Sequence, residues 1–442
     1  MNNSGAGTCE AAPHHNWRSP LRAGAEGVRG RPGPLPAARC RHARARAWLA
    51  AAGRLAALLL ALFLTAAPAL AADGLRIGVS GPFTGGSAPM GLSMRDGIRL
   101  AAAEINAAGG VQGQPLILVE RDDEARPERG VRIAQEFVAR ENVVAVVGIV
   151  NTGVALASQR VYQDARMPML TAVATGSIIT RQFHAPRYAD NYIFRVSAND
   201  SIQAEMIVAE AVDKRRFTRL AILHDSTNYG LLGREDLEAA LARRGLKPVL
   251  VERFDLRGAD MTKQVSRARA ADAQALLTYG IGPELAAIAN VAARLGWRVP
   301  LIGSWTLSMS NFLDSAGPNA EGARMPQTML HEARNERQRV FMAAWQKAYG
   351  AGRIPSPSAA AQGYDAMLLL AAALRQSPTH DGPALRAALE NLQHPVDGVV
   401  QRYERPFSRG DHEAIKSAQV PVLGEVRNGM VVSAYGNTQR NN

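Results

Sequence analysis

Cysteine is almost missing from this 442-residue chain: the two present, Cys9 and Cys40, both fall within the first 71 residues. Downstream of them the sequence offers no disulfide, no thiolate metal site and no thiol nucleophile. Catalytic signatures are missing too. There is no Walker loop and no G-x-S-x-G elbow, and the nine histidines show no metal-ligand spacing. Two segments, His331-Glu332 and His412-Glu413, begin like a zinc-protease helix, but Asn335 and Lys416 stand where its second histidine belongs. The chain is therefore expected not to be an enzyme and to need neither metal nor cofactor. A membrane-spanning stretch is lacking as well: the apolar run at 55–67 has thirteen residues, short of the roughly 20 that cross a bilayer.

Charge, by contrast, is one-sided, +12 at neutral pH with a sequence pI near 10.2. Such a balance raises nucleic acid or an anionic membrane as partners, so its location decides the reading. Residues 1–71 carry nine arginines and no lysine against Glu10 and Glu26, which leaves 42 basic and 37 acidic residues for the rest. That remainder is only mildly basic and implies no nucleic-acid partner. The leader itself is laid out as a secretory signal. An arginine-rich stretch through Arg54 precedes the apolar run, and Pro68 with Ala69-Leu70-Ala71 puts small residues where signal peptidase cuts. Cleavage after Ala71 and export to the periplasm are expected.

From residue 75 on, short apolar strands alternate with amphipathic helices, the pattern of βα units and a parallel sheet, so the fold class is α/β. Strands are expected at 75–80, 116–120 and 143–147, and helices at 91–108, closed by Gly109-Gly110, and at 127–141, opened by Pro127. A second series follows Tyr192-Ile193-Phe194-Arg195, with strands at 219–224, 248–253 and 275–278 and helices at 229–244 and 283–295, ended by Gly245 and Gly296. Two successive series imply two lobes. Helices at 335–349 and 358–375 and a strand-rich tail at 396–432 come after them. Each lobe is thus expected to combine separate segments, 72–195 with 327–394 and 196–326 with 395–442, behind the leader 1–71.

Several short cues occur in a telling order. Ile77-Gly78-Val79-Ser80-Gly81-Pro82 with Thr84-Gly85 comes first, then Gly97 and the run 103–113, Asp122-Asp123, Val147-Gly148 and residues 168–175. Phe194-Arg195, His224-Asp225 with Tyr229-Gly230, and Ala320-Glu321-Gly322 complete the series. Over residues 75–432 this order resembles the leucine/isoleucine/valine-binding family of type I periplasmic binding proteins. The resemblance implies two doubly wound parallel-sheet lobes joined by a three-strand hinge, a small-molecule ligand clamped in the cleft, and release to the membrane permease subunits of an ABC transporter by a monomer. Crossovers are expected at 194–197, at 324–327 and near Pro395. An amide- or urea-binding protein, or a ligand-sensing domain of the same fold, is the alternative.

By the same resemblance, Thr152 falls where the family uses a hydroxyl for the ligand carboxylate. Val173 and Thr175 fall where backbone and hydroxyl groups complete that site, and Tyr229 matches a cleft tyrosine of the second lobe. Physical reasoning reaches the same edge. Ligands of open parallel sheets bind outside the carboxyl ends of the strands. Thr152 lies just past the strand 143–147 at a helix start, where N–H groups and the dipole favour an anion and Gly153 allows close approach.

Two positions depart from the family. Trp305 stands where amino acid binders carry a glutamate for the ligand ammonium, and Met90 where they often carry an aromatic residue. Trp305 cannot neutralise an ammonium, so unless Glu284 or another acid does, a ligand without the amine is favoured. Its indole offers instead a flat apolar wall. The expected ligand is a small carboxylate with an apolar body, either a branched-chain amino acid or a non-amino organic or aromatic acid.

Overall fold

The computed structural model describes residues 74–256, 258 and 260–436. The leader, with its expected cleavage after Ala71, lies outside the described residues. Strands β1 (Leu75–Gly81), β2 (Leu116–Asp122), β3 (Ala145–Gly148), β4 (Met169–Thr171) and β5 (Ile193–Arg195) form a parallel sheet in the order β2-β1-β3-β4-β5. The residues of β1, β3, β4 and β5 are buried almost without interruption, as in strands covered on both faces, while the edge strand β2 is only partly covered. A second parallel set comprises β6 (Leu220–Asp225), β7 (Leu250–Phe254), β8 (Ala275–Tyr279), β9 (Leu301–Gly303) and β10 (Arg324–Gln327). In each sheet the strand order reverses, at β1/β3 and at β6/β8, giving the two switch points where α/β sheets bind ligands.

The helix stops follow the glycines: Gly245 and Gly296 take φ of +70° and +63°, the left-handed conformation that ends a helix. In the first lobe the helix Ala88–Ala107 buries Met94, Ile98, Ala101 and Ile105, the face its periodicity predicts. It crosses the helix Pro357–Gln376 at backbone contact. A Cβ on Gly97 would stand 2.1 Å from the Ala360 carbonyl oxygen, and one on Gly363 would stand 2.3 Å from that of Met94. No helix among the described residues is long and apolar enough to cross a membrane.

The tail departs from expectation. A short hairpin, β11 (Val396–Asp397) with β12 (Arg402–Tyr403), is fastened to Asp365 of the helix Pro357–Gln376. The Val399 and Val400 N–H groups donate to its carboxylate at 2.6 and 2.9 Å, and the Tyr403 hydroxyl at 2.9 Å. Glu413 then pairs in parallel with Arg195 at the end of β5. Pro395 is therefore not a crossover, and the segment 395–415 belongs with the first lobe. The chain crosses only afterwards, to β13 (Val422–Arg427) and β14 (Met430–Ser433), which add antiparallel to β10. The boundary at 395 failed because strands of two residues leave no periodicity to read, and Asp365 lies in a helix that looked merely amphipathic.

At the second crossover, after β10, His331 is buried with a defined tautomer. Its Nδ1 accepts from the Val431 N–H at 3.0 Å, and its Nε2 faces the Ile354 carbonyl at 3.3 Å, so the proton sits on Nε2. Burial, and secondarily Arg353, pushes its pKa down from 6.5 to about 4. Above pH 6.5 the ring is neutral whether the chain is folded or not, and its titration costs nothing. As pH falls from 6.5 to 4 the unfolded chain gains a proton that the folded chain refuses, removing about 3 kcal/mol of stability. In denaturant titrations between about pH 7 and about pH 4, the wild type is expected to lose more stability than His331→Gln. Parallel losses would mean that this ring takes up no proton on unfolding.

Candidate functional site

The site is built from loops at the carboxyl ends of both sheets. After β3 the chain passes Ile149, whose φ of +60° is unusual for a β-branched residue, and reaches Asn151 in an extended conformation. Asn151 is the cap, so Thr152 is the first residue of the helix Thr152–Asp164 and its hydroxyl is not spent on capping. That buried hydroxyl accepts from the Gly176 N–H at 3.3 Å and ties the helix start to the loop 172–177 beyond β4. Val173 and Thr175, in the same loop, are buried as well. A Cβ on Gly176 would come within 2.4 Å of the Thr152 methyl carbon. The first-turn N–H groups of this helix have no intrahelical partner and carry its positive pole.

The second lobe presents a matching helix start. Thr227 caps the helix Asn228–Ala242 by accepting from the Tyr229 N–H at 3.2 Å. Asp225 fixes the turn, its Oδ1 accepting from the N–H groups of Thr227 and Gly230 at 2.8 and 3.2 Å. The Tyr229 ring packs against Tyr279 with centroids 5.1 Å apart, and the hydroxyls of Ser304 and Thr306 lie beside its own. Trp305 is buried in the turn Trp305–Ser308, its backbone N–H donating to Gln203 Oε1 at 3.2 Å. Met90, Val173, Tyr229 and Trp305 share one contiguous buried apolar cluster with Tyr279, Ile281 and Met309.

The lobes are closed on one another. Asn311 Nδ2 donates to the Gly86 carbonyl at 2.8 Å, and Ser177 Oγ donates to Asp236 Oδ2 at 2.8 Å. A Cβ on Gly153 would lie 3.5 Å from Asn228 Oδ1. A cavity of about 900 Å³ lined by Trp297, Arg298 and Pro318 opens instead at the amino ends of β8 and β9, away from the carboxyl-end loops. The convergent polar groups lie at the carboxyl-end loops, where the cleft is shut.

Sequence reasoning missed Asp200. It opens the helix Asp200–Val208, its N–H donates to the Thr175 carbonyl at 2.9 Å, and its Oδ1 accepts from the Tyr279 hydroxyl at 3.1 Å. The Thr175 hydroxyl lies alongside. Its Oδ2 is buried without a hydrogen-bond partner among the described residues, as are Tyr229 Oη, Asp225 Oδ2 and Thr278 Oγ1. Such groups are rare in folded proteins, and four along one edge mark it for a polar ligand. Burial pushes Asp200 up to about 7 and Asp225 up to about 6. Glu284, the acid weighed as a substitute for the absent glutamate, opens the helix Gly282–Arg294, and its charge helps raise Asp225. Asp200 left only a weak mark in the sequence, an acid one residue past an Asn cap, which helix starts favour anyway.

Neither histidine-glutamate pair forms a metal site. His331 bolts the second crossover, as described. His412 stacks on Phe194 at 3.9 Å, its Nδ1 facing the Ile193 carbonyl at 2.9 Å. Among the described residues no group of three His, Cys, Asp or Glu is placed to hold a metal ion.

A family model described as periplasmic binding protein matches residues 74–423. The Leu/Ile/Val-binding protein homolog 3 of Brucella melitensis is 27% identical over 72% of this chain and 83% of its own length. A periplasmic binding protein type 1 from Bordetella pertussis Tohama I superposes with a TM-score of 0.74 at 26% identity, covering 82% of this chain and 100% of that one. An ABC transporter substrate-binding protein from Desulfitobacterium hafniense, solved in complex with Leu, gives 0.63 at 27% identity over the same 82% and 100%.

The Thr152–Gly176 contact can be tested directly. Gly176→Ala is expected to overpack the junction and cost about 2 kcal/mol in denaturant unfolding. A variant as stable as the wild type would show that the loop yields to the added methyl.

Proposed function

The chain belongs to the periplasmic binding protein family, and from that premise we propose that it is the extracytoplasmic receptor of an ABC importer for a small α-amino acid with an apolar side chain. The observation that carries this reading is the pairing, in the closed cleft, of a helix amino end with a buried carboxylate. On the first-lobe side, the amino end of the helix Thr152–Asp164 and the Thr175 hydroxyl suit a carboxylate. Beside Thr175, where the chain enters the second lobe, Asp200 offers a buried carboxylate whose Oδ2 has no hydrogen-bond partner among the described residues. An ammonium reaching it would hold it ionised, and the pair would offset the burial that raises its pKa. Asp200 thereby supplies the acid that Trp305 does not, and Trp305 and Met90 serve as apolar walls for the side chain. The names of the Brucella relative and of the Desulfitobacterium complex support the same ligand class.

Binding by hinge closure follows. The first lobe captures the carboxylate while the cleft is open. Tyr229 joins Asp200 and completes the site on closure, and that added affinity shifts the population to the closed form a permease would read. Every group in the scheme comes from one chain, so a monomer suffices, and none of them forms or breaks a bond in the ligand. Export would remove the leader. Mass spectrometry of the periplasmic protein is expected to find Ala72 as the first residue, and an intact leader would instead mean a retained anchor.

The ligand class is tested by thermal shift with L-leucine, L-isoleucine, L-valine, 4-methylpentanoate, benzoate and urea. At a hundred times its dissociation constant a ligand adds about 2.7 kcal/mol of stability. L-Leucine is expected to stabilise, 4-methylpentanoate to fail for want of the amine, and Asp200→Asn to weaken L-leucine roughly a hundredfold. Stronger stabilisation by 4-methylpentanoate or benzoate would refute the role given to Asp200 and turn the site into one for amine-free acids walled by Trp305.

A further inference from the structure

We propose that Arg195 and Glu413 are positioning residues of the ligand site, through which the first and third crossovers set the geometry of the carboxylate-binding loop. The inference rests on the reading that the loop 172–177 receives the ligand. Three consecutive carbonyls of that loop are held by the segment leaving the first lobe. Ser197 Oγ donates to the Ala174 carbonyl at 3.1 Å, the Asp200 N–H to that of Thr175 at 2.9 Å, and Arg195 Nη1 to that of Gly176 at 2.6 Å. The loop cannot move by itself while these bonds stand. Loop and crossover turn as one body.

Arg195 is 0% exposed, so its guanidinium must be answered from within the protein. Glu413 answers it in a two-pronged pairing, Nε to Oε2 at 2.8 Å and Nη2 to Oε1 at 2.5 Å, and the Thr180 hydroxyl donates to the same carboxylate. The backbone repeats the link: the Arg195 N–H donates to the His412 carbonyl at 2.9 Å, and the Ala414 N–H donates to the Arg195 carbonyl at 2.9 Å. Glu413 therefore joins the start of the third crossover to the end of β5. With Nε and Nη2 held by Glu413 the guanidinium plane is fixed, and an Nη1 N–H is aimed at the Gly176 carbonyl. The Gly176 peptide is thus gripped from both sides, by Arg195 at its C=O and by Thr152 at its N–H. Ser177, the next residue, carries the contact to Asp236 that shuts the cleft. A change at Glu413 consequently reaches both the group that meets the ligand and the group that closes over it, although Glu413 touches neither.

The test pairs hydrogen exchange without ligand against binding of L-leucine and benzoate, in the wild type, Glu413→Gln, Arg195→Lys and Thr180→Val. For Glu413→Gln, amide exchange across 172–178 is expected to quicken about tenfold, the order carried by one charge-assisted hydrogen bond, while exchange in β1 and β6 stays unchanged. Affinity for whichever probe binds the wild type is expected to fall by about the same factor. Arg195→Lys is expected to fall between, because an ammonium can serve Gly176 or Glu413 but not both in the fork. Quickened exchange confined to 410–416, with 172–178 and affinity at wild-type values, would overturn the proposal. Should Glu413→Gln fail to fold, Thr180→Val keeps every charge and decides by the same exchange readout: faster exchange at 172–178 supports the link, and an unchanged loop refutes it. If neither probe binds the wild type, the functional reading falls while the exchange data still judge the positioning role.

Discussion

Closure of the two sheets brings two helix amino ends tip to tip, those of Thr152–Asp164 and Asn228–Ala242, with Gly153 and Asn228 at the junction. Each end carries the positive pole of its peptide dipoles, so the closed form sets like charge against like until something negative lies between them. Asp200 and Asp225 stand close by, but burial raises both and blunts the charge they contribute near neutrality. A carboxylate held between the two ends would meet the need. The rest of the architecture serves this arrangement. Parallel strands bring helix starts to a common edge, the crossovers hold the two edges opposite one another, and the small residues Gly153 and Gly176 let backbone come near.

The alternation of strands and helices was legible because each element is long enough to show its period, and the glycine stops at Gly245 and Gly296 fell where the left-handed conformation is needed. Thr152, Gly153, Val173, Thr175, Tyr229, Trp305 and Met90 were singled out as candidates by order along the chain, and for Thr152 the switch-point rule points to the same edge. What could not be read was the state of a side chain that depends on distant partners. Asp200 looks in sequence like any acid at a helix start. Its half-satisfied carboxylate exists only because Tyr279, Thr175 and the first crossover converge on it. The same blindness hid the hairpin 396–403, whose anchor Asp365 lies dozens of residues away in a helix.

The two histidine-glutamate pairs that imitate the start of a metalloprotease helix also acquire a meaning. Both lie beside crossings between lobes: His331 binds the Val431 amide and the Ile354 carbonyl, and His412 binds the Ile193 carbonyl and the Glu390 carboxylate. At such junctions the chain has left its sheet and its backbone groups lack ladder partners. His331, donating at one nitrogen and accepting at the other, satisfies them compactly. Arg195 and Glu413 answer the same need with charge, adding stiffness where two strands run side by side out of a lobe.

The crossing of the helices Ala88–Ala107 and Pro357–Gln376, made possible by Gly97 and Gly363, has a consequence in time as well as in space. The first lobe begins to emerge from the ribosome at its sheet, yet the helix that covers that sheet is encoded some 250 residues later, behind all of the second lobe but its last two strands. Until then the early strands have an uncovered apolar face, and the ends that must meet are far apart along the chain, a long-range closure that slows folding. A polypeptide so ordered stays unfinished until it is nearly all made, the condition in which a chain can still be threaded through a narrow translocation channel.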